Sequence, residues 1–310
     1  MGKFIVRRLL QMVLVLVGAT LILFAALFIV PGDPVGSLGG GGRARDPAVV
    51  ATLRHRYALD KPLPVQYLRY VSRLVRGDMG ESFSERRPVS AVLKDRFKNT
   101  AELATAALAL EMVIGLSAGI VAAVLRYSPW DLGTTLVTTI AIGFPTFVIG
   151  LIFQHVFAFE LHWFPLSGVH GSVLRSVFLP ALTLAAVDAA LVARLMRGTM
   201  LEVLRADYIR TARSKGLPER TVILKHALRN SIVPVVTYLG IAFGTLLGGA
   251  LITEVIFNWN GIGYALVTAI QTQDNPVVLG VATWGVAAFV VVNLVVDIVY
   301  GFLDPRIRLQ

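Results

Sequence analysis

The sequence contains no cysteine, which excludes disulfides, cysteine nucleophiles and thiolate metal sites. Charge is scarce as well: Asp, Glu, Lys and Arg make up 15% of the 310 residues, against about 25% in an ordinary soluble domain. Acids are the scarcer kind, 19 against 29 Lys and Arg. No G-x-x-x-x-G-K-[ST] occurs, so there is no P-loop for a nucleotide; the glycine run Gly39–Gly42 leads into Arg43-Ala44 instead. No H-E-x-x-H occurs, and His55, His155, His162, His170 and His226 have no metal-ligand spacing. Ser167-Gly168 near His170 lacks the elbow of a serine hydrolase. Between Ser231 and Pro305 there is no Lys or Arg at all.

What fills the chain is apolar surface. Hydrophobic residues make up 55% and the mean hydropathy is +0.71, so the composition is that of an integral membrane protein. The apolar runs are Leu9–Val30, Thr100–Leu125, Leu132–Phe159, Ser176–Leu195, Ser231–Phe257 and Pro276–Leu303. Each reaches or approaches the roughly 20 residues a helical span needs. They are uniformly apolar rather than alternating, which favours helices over barrel strands. Lys3, Arg7 and Arg8 followed by Leu9–Val30 resemble a signal peptide, but the run is long and Pro31-Gly32-Asp33-Pro34 is no small-residue cleavage site. We read it as a retained first transmembrane helix. The spans place both termini on one side. The basic residues at the N-terminus, Arg126, the basic loop after the fourth span, and Arg306 and Arg308 make that side the cytoplasm. A pI near 10.2 therefore reflects membrane topology, and nucleic acid is not an expected partner.

The organisation expected is residues 1–30 for the cytoplasmic N-terminus and first helix, 31–98 for an extracytoplasmic segment, 99–303 for a five-helix core with a cytoplasmic loop at 200–230, and 304–310 for a cytoplasmic tail. The 31–98 segment carries Arg43, Arg45, Arg54, Arg56 and Lys61, yet segments beyond about 60 residues cross largely regardless of charge. It reads as helical over Pro47–Tyr57 and Val65–Arg76, and its length and aromatic content suit a docking segment or a connector. Pro145, Pro180 and Pro234 invite kinks. Gly240, Gly244 and Gly248 share one helix face and permit close packing, unless they reflect only the general use of glycine in membrane helices.

The most informative stretch is Leu201–Pro234, LEVLRADYIRTARSKGLPERTVILKHALRNSIVP. Arg205, Arg210, Arg213, Lys215, Arg220, Lys225 and Arg229 crowd into it, interleaved with Leu201, Leu204, Ile209, Val222, Ile223, Leu224 and Leu228. Ala206–Lys215 has helical composition, Gly216 suits a C′ position and Pro218 the first turn of a second helix. Asp207 is placed to pair with Arg210 at i+3. A lipid-facing basic loop needs neither that joint nor carboxylates, so the stretch reads as a protein-docking element. Ionisable residues inside the spans are Glu111, Asp188 and Asp297, with Glu254 near an outer end. Each is costly there, on the order of 2.5–3.5 kcal/mol for a central Asp. Asp188, at mid-span, is either a translocation-path carboxylate or a packing partner of Arg194 or of a second subunit; Glu254 is a second path candidate.

The stretches DYIRTARSKGL and HALRNSIVPVVT resemble the coupling loop of the binding-protein-dependent ABC permeases, in particular the first permease subunit of dipeptide, oligopeptide and nickel importers. PGDP at Pro31–Pro34, LDKPLPVQYLRY and RGDMGESF within Leu59–Phe83, TEVIFNWNGIGYAL at Thr253–Leu266 and NLVVDIVYGFLDPRIR at Asn293–Arg308 resemble the same branch, in order along the chain. The broad family motif begins Glu-Ala-Ala; Arg210-Thr211-Ala212 stands there, and Gly216 supplies its glycine. The resemblance implies an all-α fold of six transmembrane helices, the type I ABC importer permease fold, in a bacterial or archaeal cell (inner) membrane. It implies a subunit that is not itself an enzyme and binds no cofactor, with ATP and Mg used by two partner ATPase subunits or copies. A second permease subunit forming a heterodimer, an extracytoplasmic solute-binding protein and a peptide substrate are the other implied partners, in the lipid bilayer. Asp207, Tyr208, Arg210, Thr211, Ala212, Lys215 and Gly216 are the implied ATPase-coupling residues. Nickel complexes, glutathione or another small solute are alternative cargoes, and a stand-alone secondary transporter is the alternative of a different class.

Overall fold

The computed structural model describes residues 2–28, 61–169 and 172–303; among these the regular elements are helices, with one isolated bridge between Glu81 and Pro88. The helices are α1 (Gly2–Phe28), α2 (Leu63–Val75), α3 (Val89–Val124), α4 (Pro129–Gly143), α5 (Thr146–Glu160), α6 (Val173–Val203), α7 (Asp207–Ser214), α8 (Glu219–Leu247), α9 (Leu251–Ile256), α10 (Ile262–Gln271) and α11 (Asn275–Leu303). Among the described residues five helices are long and apolar enough to cross a membrane, or up to six if the bent pair α4–α5 counts as one span. PGDP, the glycine run, the helix expected at Pro47–Tyr57, His55, His170 and the tail 304–310 lie outside the described residues.

Three departures from the hydropathy reading have local causes. The third apolar run is not one rod: α4 and α5 meet at 104°. Pro145 has no N–H to continue the helix and forces Phe144 into an extended conformation, ψ 135°. The fifth run breaks after Leu247, where Gly249 takes φ 111°, and α9 restarts at Leu251. The second helix starts at Val89, not Thr100, because its first turns are polar yet helical and hydropathy alone does not register them. Pro180 and Pro234 lie inside α6 and α8, which continue through them.

The chain divides into two compact units. The first comprises 1–101 with 244–294. In it α2 docks on α1. The Tyr67 hydroxyl lies 3.1 Å from Thr20 Oγ1 and donates to the Val17 carbonyl at 3.3 Å, and the Phe24 and Tyr67 rings meet edge-on at 5.5 Å. Val89, Leu93, Ile262, Ala269, Val277 and Val281 form its buried apolar core. The buried Asp274 ties the turn before α11 to the end of the RGDMGESF stretch and the serine that follows it: Oδ2 accepts from Ser82 Oγ (2.6 Å), Ser84 Oγ (2.7 Å) and the Ser84 amide (3.0 Å). Burial pushes this carboxyl up, but the hydrogen bonds outweigh burial and hold it below the usual carboxylate range.

The second unit comprises 102–243 with 295–310. Its core is Val192, Met196, Met200, Ile209, Val222 and Val235, joining α6, α7 and α8. Two glycines bring α3 against α6. A Cβ on Gly115 would lie 2.6 Å from Val192 Cγ1 and 2.9 Å from the Ala189 carbonyl; one on Gly119 would lie 2.6 Å from the Ala193 carbonyl. Only glycine permits that approach. α4 begins at a cap: Ser128 Oγ accepts from the Asp131 amide, with Pro129 in the first turn. Asp131, itself buried, then holds α6 through a bidentate pair with Arg197, 2.6 and 3.0 Å. The glycine face of α8 packs as its spacing predicts: Gly244 meets Val292 within the first unit, and Gly240 meets Val296 within the second.

Candidate functional site

The basic loop folds into α7, a glycine joint and the start of α8. Ile209 and Ala212, one turn apart, are the buried face of α7 and pack with Met196, Met200 and Val222. Asp207, Tyr208, Arg210, Thr211, Lys215 and Gly216 are all exposed. Ala212 thus departs from the other implied coupling residues: it faces the protein, and its small side chain lets α7 lie close on α6 and α8. Gly216 has φ 75°, the left-handed conformation a helix-terminating C′ residue takes, and Pro218 (φ −57°) caps the following helix. Arg213 bridges the joint to Glu219 through Nε–Oε2 (3.1 Å) and a second bond of 2.6 Å, which raises the guanidinium above its ordinary range. Both partners are about half exposed (44% and 55%), so the pair orients more than it stabilises. Asp207 and Arg210 do pair, at 3.8 Å, but with side chains 97% and 81% exposed this contact contributes little. The Tyr208 hydroxyl accepts from Asn230 Nδ2 at 2.7 Å, and Thr199 Oγ1 donates to the Ser231 carbonyl at 3.0 Å, so the loop is tied to α8 and α6 to α8 at the same end. The result is a rigid seat carrying a polar outward face.

Asp188 stands at the midpoint of α6, half-buried, and accepts a 2.6 Å hydrogen bond from the Tyr238 hydroxyl of α8. Arg194, the intrachain partner considered from sequence, is turned elsewhere: it donates to Thr139 Oγ1 at 3.1 Å. Directly C-terminal to Asp188 along the packed pair, Gly115 and Gly119 of α3 face the Ala189 and Ala193 carbonyls of α6. That register brings Glu111, four residues before Gly115, opposite Asp188. Glu111 is 0% exposed, neither of its oxygens has a hydrogen-bond partner, and Asp188 is a charged neighbour of it. The sequence shows Glu111 as an in-span acid but does not show that it meets Asp188. The E-x-x-x-G-x-x-x-G spacing of Glu111, Gly115 and Gly119 is the signal that would have placed it.

Glu254 occupies a closed turn. It is 0% exposed even in the isolated chain; Oε2 accepts from the Tyr264 amide at 2.8 Å and Oε1 from Thr100 Oγ1 at 2.9 Å. Thr100 in turn accepts from the Ile262 amide at 2.8 Å. Trp259 Nε1 donates to the Asn99 carbonyl and Asn99 Nδ2 to the Asn260 carbonyl, both 2.8 Å. TEVIFNWNGIGYAL is thereby a self-bonded corner whose carboxylate braces backbone, and Glu254 faces that corner rather than an open passage. A separate cavity of about 570 Å³ in the second unit, lined by Ile114, Trp130, Val137, Ala141, Ala190 and Ala193, has no charged residue in its wall.

Residues 115–309 match the model of the binding-protein-dependent transport system inner membrane component, and residues 1–104 match the N-terminal model of the same transport systems. The chain is 41% identical to the di/tripeptide transport system permease protein DppB of Pseudomonas aeruginosa over the full length of both. It is 38% identical to the glutathione transport system permease protein GsiC of Salmonella paratyphi A over 99% of each. An inward-facing structure of the MetNI methionine ABC transporter superposes with a TM-score of 0.55 at 15% identity, covering 69% of this chain and 96% of that one, which shows the shared fold. The long apolar helices, the loop held on a buried seat and the end-to-end similarity agree: this multi-pass membrane chain belongs to the binding-protein-dependent ABC importer permeases, in the branch that includes DppB and GsiC.

Proposed function

We propose that the chain forms one half of the translocation path of an ATP-driven importer of di- or oligopeptides, working beside a second, similar permease. Two ATPase subunits or copies bind ATP and Mg and hydrolyse ATP; this chain has no part in the chemistry. An extracytoplasmic binding protein delivers the solute. The N-terminus and the basic loop face the cytoplasm. The observation that carries this reading is α7: Asp207, Tyr208, Arg210, Thr211 and Lys215 are presented outward while Ile209 and Ala212 are locked into the core. A polar face on a rigid seat is suited to receive force from a soluble partner and pass it to α6 and α8, shifting the bundle between two states. Peptide cargo rests on the similarity to DppB, and a thiol tripeptide such as glutathione is the second reading, favoured by the similarity to GsiC. The test is purification under gentle conditions followed by uptake. Co-purification of an ATPase and a second permease, with uptake that requires ATP and the binding protein, is the expected result. Uptake by this chain alone would refute it.

A further inference from the structure

We propose that Asp188, backed by Glu111 and oriented by Tyr238, is a receptor in the membrane interior for the primary ammonium group of the transported solute. The inference rests on the function proposed above, since dipeptides and glutathione both carry that group. Three spanning helices converge here: Glu111 in α3, Asp188 at the midpoint of α6 and Tyr238 in α8. The cluster is short of positive charge. Tyr238 supplies one hydroxyl donor, to Asp188 Oδ1 at 2.6 Å. Both Glu111 oxygens are buried and unpartnered. Among the described residues no Lys, Arg or His bonds to either carboxyl, and Arg194, one and a half turns along α6, is engaged with Thr139.

A carboxylate inside a membrane must meet water, a donor or a cation, and two side by side repel each other. Proteins complement such a pair with a basic side chain; this chain does not. A primary ammonium brought by the solute, with three donors, suits the Asp188 carboxylate, which no basic side chain among the described residues complements. The cluster is also built rather than incidental. Gly115 and Gly119 allow α3 to approach α6 so closely that Glu111 is set opposite Asp188, and a π-turn over Met112–Leu116 follows Glu111 directly. Such turns recur at functional positions in helices. Asp188 is the half-buried member and would meet the ammonium; Glu111, fully buried behind it with both oxygens unpartnered, is a positioning residue.

The test uses the complete complex, with both permeases, the ATPases and the binding protein, in proteoliposomes. Uptake of dialanine is compared with that of propionyl-alanine, which has the same size but no amino group, in the wild type and in Glu111→Gln and Asp188→Asn. Using one binding protein throughout cancels its own preference from the comparison. Each variant is expected to lower dialanine uptake per assembled complex on the order of tenfold, to leave propionyl-alanine uptake and binding-protein-stimulated ATP hydrolysis near wild type, and Tyr238→Phe to show a smaller loss of the same kind. Equal loss of both solutes, or no loss of either, overturns the proposal. Failure of both variants to assemble also overturns it, because the cluster would then be closed by a cation of the second permease. If wild type takes up neither dialanine nor glutathione, the substrate class proposed above fails first and this inference with it. If wild type transports and the variants match it, only this inference falls.

Discussion

Substitution of Gly216 tests the coupling joint most directly. Its φ of 75° is a conformation an L-residue enters at a cost of about 1–2 kcal/mol, with β-branched valine toward the upper end. A Cβ there would meet nothing within 4 Å, so the whole penalty is backbone strain and none is steric overlap. Ile209 and Val222, both fully buried, still anchor the flanking helices. Gly216→Val should therefore insert and assemble normally while the joint relaxes away from its native angle, re-aiming α7. A penalty of 1–2 kcal/mol corresponds to roughly 5- to 30-fold in the population of the native joint. ATP hydrolysis stimulated by binding protein, measured per assembled complex in proteoliposomes, should fall by up to that factor, together with uptake. Gly216→Asn is the control, because asparagine tolerates the left-handed region and should retain most of the activity. Wild-type stimulation in the valine variant would refute the role given to the joint. Equal damage from asparagine and valine would show that the backbone angle is not the cause.

Other expectations follow from particular contacts. Asp131→Ala leaves Arg197 partly buried without its bidentate partner and should lower stability by about 2–3 kcal/mol, read as the unfolding midpoint in detergent; an unchanged midpoint would mean the pair is replaced by water. Gly261→Ala would push a methyl into Thr100 Oγ1 and Glu254 Oε2, and should cost about 1–3 kcal/mol and disorder the Glu254 corner without touching α7; wild-type thermal stability would show that the corner can open. Asp274 has a folded value below its unfolded one, near 4. Its contribution is complete above about pH 4 and is lost as pH falls through the folded value. Asp274→Asn should flatten the decline in stability between about pH 5 and 3, and an unchanged acid limb would place the effect on other carboxylates. For topology, Ser72→Cys and Ser214→Cys are both exposed positions in a cysteine-free chain. An impermeant thiol reagent should label the first from outside and the second only from the cytoplasmic side; the opposite pattern inverts the assignment.

The sequence by itself determined the class of molecule and the helix joint in its basic loop, because both are written locally. A span needs only length and apolarity, and a helix joint needs only the order Arg213-Ser214-Lys215-Gly216-Leu217-Pro218, whose glycine indeed sits at φ 75°. The α8 glycine face was legible for the same reason, since a spacing of four is a property of one helix. Tertiary structure decided what each lone acid does. Asp188 meets Tyr238, 50 residues away, and not the nearby Arg194. Glu254 closes a corner through Thr100, 154 residues away, and Asp274 holds Ser82 and Ser84 across some 190 residues. These partners depend on the register in which helices pack, and that register is set by close approaches such as Gly115 on Val192. A proline marks where α4 must stop, but the size of the turn that follows, 104°, is not written in the local sequence. Periodicity along one helix therefore reports which face is buried, while the group that face meets depends on the fold of the whole chain.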